Sequence, residues 1–423
     1  MEPVLTRNIA LNEGTTYIEA YEKNGGYQGL RKALKMNPPE IVKLVSDAKL
    51  RGRGGAGFPT GVKWSAMLPV EQSGFPRYLV CNFDEMEPGT FKDRFLVEGD
   101  PHQLIEGILI ASFACQANVC YIFVRDEYRR AQEILRRAIV EASERGYLGE
   151  NILGSGWSVD LHLHVSAGRY MCGEETGLLN ALEGKPANPR SKPPYPQTSG
   201  LWGRPTVVQN VETLCCLPHI VERGAEWFLG LGKAKDSGTK IYGASGKVAK
   251  PGCWELPMGI TMRELIEEHA GGMREGYEFR AALPGGASTQ FMDESVMDLP
   301  LDFETLKEHG MFFGTGNAIV LDNKTCPVAL SHNLQMFYAR ESCGWCTPCR
   351  EGLPWIERIL DSIEGGEGKP GDIEMLLDMA SYIGPNTYCA FALGAVQPLG
   401  SAIKLFREDF EEHIRLGKCP YRG

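Results

Sequence analysis

Three thiols fall within seven residues, at Cys343, Cys346 and Cys349 of Cys-Gly-Trp-Cys-Thr-Pro-Cys, and no other feature restricts this chain as strongly. The C-x-x-C-x-x-C spacing lets one curl of backbone offer three corners to a [4Fe–4S] cube, so the segment has to fold around an inorganic centre. A structural zinc site is the competing reading, but zinc modules more often pair two separated C-x-x-C knuckles. Ferredoxin-type spacing would put a fourth cysteine at position 353, where Leu353 stands. The last ligand is therefore remote, and spacing leaves Cys326, Cys389 and Cys419 open. The chain has 13 cysteines, an odd and scattered set in a protein too large to need staples, so reduced thiols are expected rather than a disulfide framework.

At 423 residues and 43% hydrophobic content the chain has material for more than one core. Its net charge of −10 gives no electrostatic basis for gripping a phosphodiester backbone, so nucleic acid is not expected as a partner. The apolar run from Leu104 to Val124 is interrupted by Glu106, Gln116 and Asn118 and reads as a buried soluble segment, not a membrane span. Met1 to Thr6 lacks a basic region followed by an apolar run, so no secretory signal is read and a cytoplasmic location is expected.

Pattern divides the chain into three. Residues 1–235 alternate helical periods with β-rich runs such as Tyr78 to Cys81, Cys120 to Val124 and Ser158 to Val165, the punctuation of an α/β domain. The polar hinge Gly232 to Gly238 opens residues 236–326, a small α+β module of β-grasp (ubiquitin-like) type with strands at Lys240 to Gly246, Cys253 to Leu256, Glu278 to Leu283 and Asn317 to Leu321. Its helix starts at the capping box Thr261-Met262-Arg263-Glu264. Residues 327–423 are helical in period: Ala329 to Ala339, Leu353 to Ile363, Ile373 to Ile383 and Pro398 to Ile414, a four-helix bundle.

Gly52, Gly54 and Gly57 spell a literal G-x-G-x-x-G, but a helix-period segment precedes them where a dinucleotide fingerprint needs a strand. What remains is a loop whose backbone can converge on phosphate, with Arg51, Arg53 and Lys63 nearby in sequence; a flexible surface loop is the bland alternative. Asp84, Glu85 and Glu87 crowd one turn at a strand's carboxyl end, where α/β ligand sites form; carboxylates there suit ribose hydroxyls and repel a 2′-phosphate, favouring NADH over NADPH. A solvated acidic loop is the alternative. Glu174-Glu175 read alone as an ordinary helix N-terminus. His162 and His164 alternate on one strand face and are read as packing rather than metal ligands, and Cys215-Cys216 as buried thiols.

Together these segments resemble the NADH-binding flavoprotein subunits, the F subunits, of the NADH:quinone oxidoreductases of respiratory complex I. The resemblance runs in order through Gly52 to Trp64, Asn82 to Arg94, Gly173 to Gly184, Ala187 to Pro196, Asn210 to Leu214 and Glu341 to Gly352. It implies a multidomain α/β protein: a Rossmann-like FMN/NADH domain, a β-grasp domain, and a helical bundle carrying one [4Fe–4S] cluster. It implies that Gly54, Gly55, Gly57, Lys63, Asn82, Asp84, Tyr170, Gly173, Glu174, Asn210 and Thr213 surround FMN, with Gly52, Arg53, Glu85 and Gln209 as further cofactor-binding candidates. Phe58, Glu87, Glu175, Lys192 and Tyr195 fall on the NADH side, with Phe58 stacking on adenine and Glu87 and Glu175 orienting the reacting substrate. The family's fourth cluster ligand matches Cys389 in Asn386-Thr387-Tyr388-Cys389-Ala390.

Phe83 stands where the family usually has a small Ala, Gln209 where a second Asn is common, and Ala66 where some members carry a larger apolar residue. The implied activity is hydride transfer from NADH to FMN and single-electron delivery to the cluster, within a proton-translocating NADH dehydrogenase. The implied partners are a thioredoxin-like [2Fe–2S] subunit, of the E type, and a larger iron–sulfur subunit of the peripheral arm, on the cytoplasmic side of the membrane and touching it only through the complex. The diaphorase subunit of a soluble NAD-linked hydrogenase or formate dehydrogenase shares this core, but such relatives often carry extra cysteine clusters, and none precedes Cys81 here. A zinc-stabilised scaffold and a Mg-dependent phosphotransferase using Asp84, Glu85 and Glu87 are the readings of other classes; the second lacks a P-loop.

Overall fold

The computed structural model describes residues 2–11 and 14–422. The chain divides into two compact units: Met1–Met86 with Phe91–Tyr242 and Cys253–Ile260, and Glu87–Thr90 with Gly243–Gly252 and Thr261–Gly423. No helix among the described residues is long and apolar enough to cross a membrane.

The first unit is built on a parallel sheet of β1 (Tyr78–Phe83), β2 (Val119–Arg125), β3 (Asp160–Ser166) and β4 (Thr206–Asn210), in the order β3-β2-β1-β4. β1 pairs with β2 from Tyr78↔Val119 and with β4 from Tyr78↔Thr206, and every pairing is parallel. Side chains alternate across β1. Leu79, Cys81 and Phe83 enter the main core with Leu104, Ile108 and Ala111 of the helix Pro101–Cys115, while Tyr78 and Val80 enter a smaller core with Leu178, Leu179 and Leu182. A parallel sheet covered on both faces requires near-continuous apolar strands, and Tyr78-Leu79-Val80-Cys81 is such a run.

The apolar segment Leu104 to Val124 is that buried helix followed by β2. Glu106, which breaks its hydropathy, is buried and accepts hydrogen bonds from Tyr21 Oη and from the N–H groups of Tyr27 (2.8 Å) and Leu30 (2.9 Å). It fastens the N-terminal segment to the core, since an unsatisfied buried carboxyl would be costly. His164 stacks on Phe123 at 5.2 Å, and Cys215 and Cys216 are buried, as the packing readings expect.

β5 (Thr239–Gly246) and β6 (Gly252–Pro257) contribute to both units. Within the second unit, Gly243–Gly246 of β5 pair in parallel with β8 (Asn317–Asp322), and β7 (Phe279–Leu283) pairs antiparallel with β8. Thr261 and Glu264 form the expected reciprocal cap, but the α-helix lasts only Met262–Glu264 and widens into a π turn over Leu265–His269. Helix Pro327–Glu341 packs against Thr347–Glu364 and Ala390–Leu405, and Asp372–Ile383 packs against the same two. The continuous period expected from Pro398 to Ile414 breaks: Phe406, with φ −123° and ψ 29°, separates Ala390–Leu405 from Arg407–Leu416. Periodicity cannot register such a corner because apolar residues recur on both sides of it.

Candidate functional site

The order β3-β2-β1-β4 makes a topological switch between β1 and β4, since crossovers depart in opposite directions from these neighbours, and a crevice opens at their carboxyl ends. The residues there are Asn82 and Asn210, which face each other in register. Asn82 Nδ2 donates to the Gly173 carbonyl (3.1 Å), tying the sheet to the turn Tyr170–Gly173. The Asn210 side chain caps the helix Val211–Cys215 by accepting from the Glu212 N–H (3.1 Å), and its Nδ2 donates to Asp93 (2.6 Å). β4, the strand that creates the switch, carries no turn signal or long apolar run and was not legible in the sequence.

The glycine loop lies against this crevice. Its base is closed by the Gly52 N–H donating to the Phe58 carbonyl (2.9 Å), and Gly55 and Gly57 sit at φ 119° and 64°, where side chains are strained. A Cβ on Gly54 would lie 3.2 Å from Asn210 Cβ, so the loop rides close over the end of β4. The cations expected to serve the loop are turned elsewhere. Arg51 pairs with Asp236 (2.6 Å), and Arg53 is fully buried, its guanidinium donating to the Ser237 carbonyl (2.8 Å) and its N–H to Thr213 Oγ1 (2.8 Å). Both arginines are taken up by protein partners and shape the loop from behind.

Lys63 remains at the crevice, between Glu175 Oε2 and the Val208 carbonyl, each at 3.2 Å. Lys192 closes the other side of Glu175 at 2.8 Å and reaches Glu174 at 3.1 Å. Glu174 caps the helix Glu175–Leu182 by accepting from the Thr176 and Gly177 N–H groups, both at 2.8 Å. Burial would raise the Glu175 carboxyl, but Lys63 and Lys192 outweigh it and hold the group below the usual carboxylate range. Glu175 is a fixed anion. Phe58, 51% exposed, and Tyr195, 55% exposed, are large aromatic surfaces open to a ligand.

The three carboxylates after β1 separate. Asp84 is buried, which pushes its carboxyl up to about 7. Glu85 turns inward, accepting from the Asp93 (2.8 Å) and Arg94 (3.1 Å) N–H groups at a helix start and from Tyr128 Oη (2.9 Å). Glu87 belongs to the second unit, where it accepts the Ser288 N–H at 2.6 Å. A sequence places these three side by side; the chain's turn sends them three ways. Phe83 points into the main core, 5.5 Å from Tyr128, so its bulk is absorbed by packing, while Ala66 is exposed.

Beneath Asn210 lies a network that sequence reasoning missed. Glu212, fully buried, meets Lys240 at 2.7 Å and Lys92 at 3.0 Å, and Lys92 meets Asp93 at 2.6 Å and Asn210 Oδ1 at 3.3 Å. Lys92 and Asp93 together fix both ends of the Asn210 amide.

A flavin mononucleotide fits these residues. A glycine loop pressed to within Cβ contact of Asn210 leaves backbone at the phosphate's approach, and Gln209 Nε2, buried at the end of β4, has no hydrogen-bond partner among the described residues. In the second unit, Cys343, Cys346, Cys349 and Cys389 stand outside any disulfide. The Tyr388 N–H points at Cys346 Sγ (3.3 Å), bringing the segment of Cys389 to the three-thiol curl, and Ser342 Oγ lies 3.1 Å from Cys349 Sγ. Burial pushes the Cys349 thiol up to about 11, so its thiolate form needs a cationic centre, which an iron cluster supplies.

Comparison with known proteins gives a consistent pattern. The Nuo51 FMN-binding domain matches residues 45–219, the SLBB domain residues 243–291, and the NADH-ubiquinone oxidoreductase-F iron-sulfur binding region residues 329–413. The NADH-quinone oxidoreductase F subunit of Escherichia coli (strain K12) is 55% identical over 97% of this chain and 93% of its own length. The Streptomyces coelicolor protein of the same name is 45% identical over 100% of this chain and 93% of its own. Among solved structures, the NAD+-reducing [NiFe]-hydrogenase in the air-oxidized state superimposes with a TM-score of 0.83 at 36% identity, covering 97% of this chain and 67% of that one.

Proposed function

The chain belongs to the family of NADH-quinone oxidoreductase F subunits, and from that premise we propose that it is the NADH-oxidising flavoprotein subunit of a complex I. It takes hydride from NADH onto FMN and sends single electrons through a [4Fe–4S] cluster toward a quinone-reducing partner chain. The observation that carries this reading is the convergence of Asn82, Asn210, the Gly54 backbone and the Lys63–Glu175–Lys192 array at one switch-point crevice. When bound, FMN supplies a two-electron acceptor that can be emptied one electron at a time, and the cluster supplies a one-electron outlet.

The protein's own part is positioning. Asn82 and Asn210 have their amides fixed by neighbours, so they offer preset donors and acceptors to the ring system. Lys63, Gly52, Arg53, Gly55, Gly57, Asp84, Glu85, Tyr170, Gly173, Glu174, Gln209 and Thr213 complete the proposed FMN surround, Arg53 and Glu85 by shaping it from behind. Glu175, held anionic by two lysines, orients the nicotinamide side and does not donate a proton; Glu87 serves the same substrate, and Phe58, Lys192 and Tyr195 cover it. Cys343, Cys346, Cys349 and Cys389 hold the cluster. The proposed domains are 1–235, Rossmann-like, 236–326, β-grasp, and 327–423, four-helix in form, and each contains one of the three matched regions. A thioredoxin-like [2Fe–2S] subunit and a larger iron–sulfur subunit are the proposed partners, in the peripheral arm on the cytoplasmic side.

Gly54→Ala tests the crevice. The added Cβ, 3.2 Å from Asn210 Cβ, must push the loop or Asn210 aside and is expected to cost FMN about 1–3 kcal/mol, roughly 5–150-fold in affinity, along with a small drop in the thermal midpoint of the FMN-free protein. Flavin released on dialysis measures it. Glu175→Gln removes the anion between the lysines and is expected to lower NADH:ferricyanide kcat/KM on the order of 10–100-fold. Wild-type kinetics would exclude Glu175 from substrate positioning. A second reading, a diaphorase subunit of an NAD-linked hydrogenase, is favoured by the superposition on the hydrogenase chain. Co-purification with quinone-reducing activity or with hydrogenase activity separates the two.

A further inference from the structure

Away from the three-thiol curl, the second unit gathers another set of ligand-type side chains. Cys326, Glu364, His413 and Cys419 are all buried, and one donor atom from each lies within 4.8 Å of all the others. Cys326 Sγ is 3.3 Å from His413 Nε2 and 3.7 Å from Glu364 Oε2, and His413 Nε2 is 3.4 Å from Glu364 Oε2. A tetrahedral zinc ion with ligands at about 2.0–2.3 Å sets its ligand atoms about 3.3–3.8 Å apart. The three separations fall on that edge length.

The surroundings are those of a ligand set. His413 Nδ1 donates to the Asp409 carbonyl at 2.6 Å, which fixes the tautomer and leaves the Nε2 lone pair aimed at the other three groups. Cys326 occupies the N-cap of the helix Pro327–Glu341, and its sulfur accepts the Ala329 N–H at 3.3 Å. Glu364 Oε1 lies 2.8 Å from Arg422. Two thiolates and one carboxylate would then be balanced by a divalent cation and one guanidinium, leaving a neutral buried centre.

The fold converges here from three directions. Glu364 ends one helix, His413 lies near the end of another, and Cys419 follows the left-handed Gly417; Gly366 is so close to Gly417 that a Cβ on it would lie 2.2 Å from the Gly417 carbonyl oxygen. The Asp409 carboxylate binds Arg280 (2.6 Å) and Tyr421 Oη (2.5 Å), anchoring the tail on the far side of Cys419. Without a metal the two buried thiols would have only weak hydrogen bonds at this centre.

We propose that Cys326, Glu364, His413 and Cys419 bind a structural zinc ion that ties the C-terminal tail to the start of the Pro327–Glu341 helix. Four protein ligands close the coordination sphere, so the ion is structural and carries no electrons. The test is metal analysis of the purified full chain with its iron–sulfur cluster in place, after gel filtration in EDTA. The expected result is about one zinc per chain in addition to the cluster iron, with zinc K-edge absorption fitting two sulfur and two lighter ligands. Cys419→Ser and His413→Gln should lose the zinc while keeping the cluster's EPR signal, and Cys389→Ser should keep the zinc. If a variant fails to fold, the wild-type zinc content and absorption edge still decide. Background zinc in the wild type together with no uptake from added Zn(II) under reducing conditions overturns the proposal. So does a Cys326–Cys419 disulfide in the native protein, or iron in place of zinc at these four ligands.

Discussion

Cys389→Ser is expected to abolish the EPR signal of the reduced cluster and to lower the chain's iron content, while bound FMN and its bleaching by NADH persist. A serine hydroxyl at that corner is far harder to ionise than a thiol and is a poor ligand for iron, so the cube loses a quarter of its protein attachment. The residues proposed to surround FMN lie in the other unit, and their hydrogen bonds are expected to persist. Cys326→Ser and Cys419→Ser provide the contrast: their sulfurs belong to the cluster of groups around His413, whereas the segment holding Cys389 reaches Cys346 through the Tyr388 N–H. Both variants should retain the cluster signal. A full signal in Cys389→Ser, or its loss in Cys419→Ser from a folded protein, would assign the fourth ligand differently.

That choice also marks what the sequence could tell. Three thiols within seven residues are visible in one dimension, as are β1, whose apolar run is buried on both faces, and the Thr261 cap, whose partner is three residues away. Relationships across long separations are not. Cys326 and Cys419 looked equivalent to Cys389 until folding put them together in a different place. The basic residues around the glycines looked like a phosphate patch, yet Arg51 and Arg53 spend their charge on Asp236 and the Ser237 carbonyl, partners almost two hundred residues away. β4 is short and acquires its meaning only from lying beside β1. The helix after the cysteines begins at Thr347 and not near Leu353 because Pro348 suits a first turn, a local signal that the cysteine motif obscured.

Glu212 is the residue where such a hidden relationship should have the largest effect on stability. Burial raises its carboxyl, but Lys240, Lys92 and Arg53 outweigh this and hold it below the usual range, whereas burial, with Lys92 and Arg53, pushes Lys240 down to about 8 despite Glu212. Glu212 is the carboxylate that meets Lys240, and it shares Lys92 with Asp93. Glu212→Gln leaves the buried Lys240 ammonium without a carboxylate, while Lys92 keeps Asp93, and is expected to destabilise the first unit by about 3–5 kcal/mol, read from urea unfolding. Lys240→Met in the same background should recover part of that loss, because it removes the stranded charge. A carboxyl depressed in the folded state stabilises above the unfolded value, and that stability is lost as pH falls through the folded one, so the variant should show a shallower loss toward acid than the wild type. Because Lys92 and Asp93 also grip Asn210, the variant should release FMN more readily even where it remains folded, and equal FMN retention would separate the buried charges from the crevice above them.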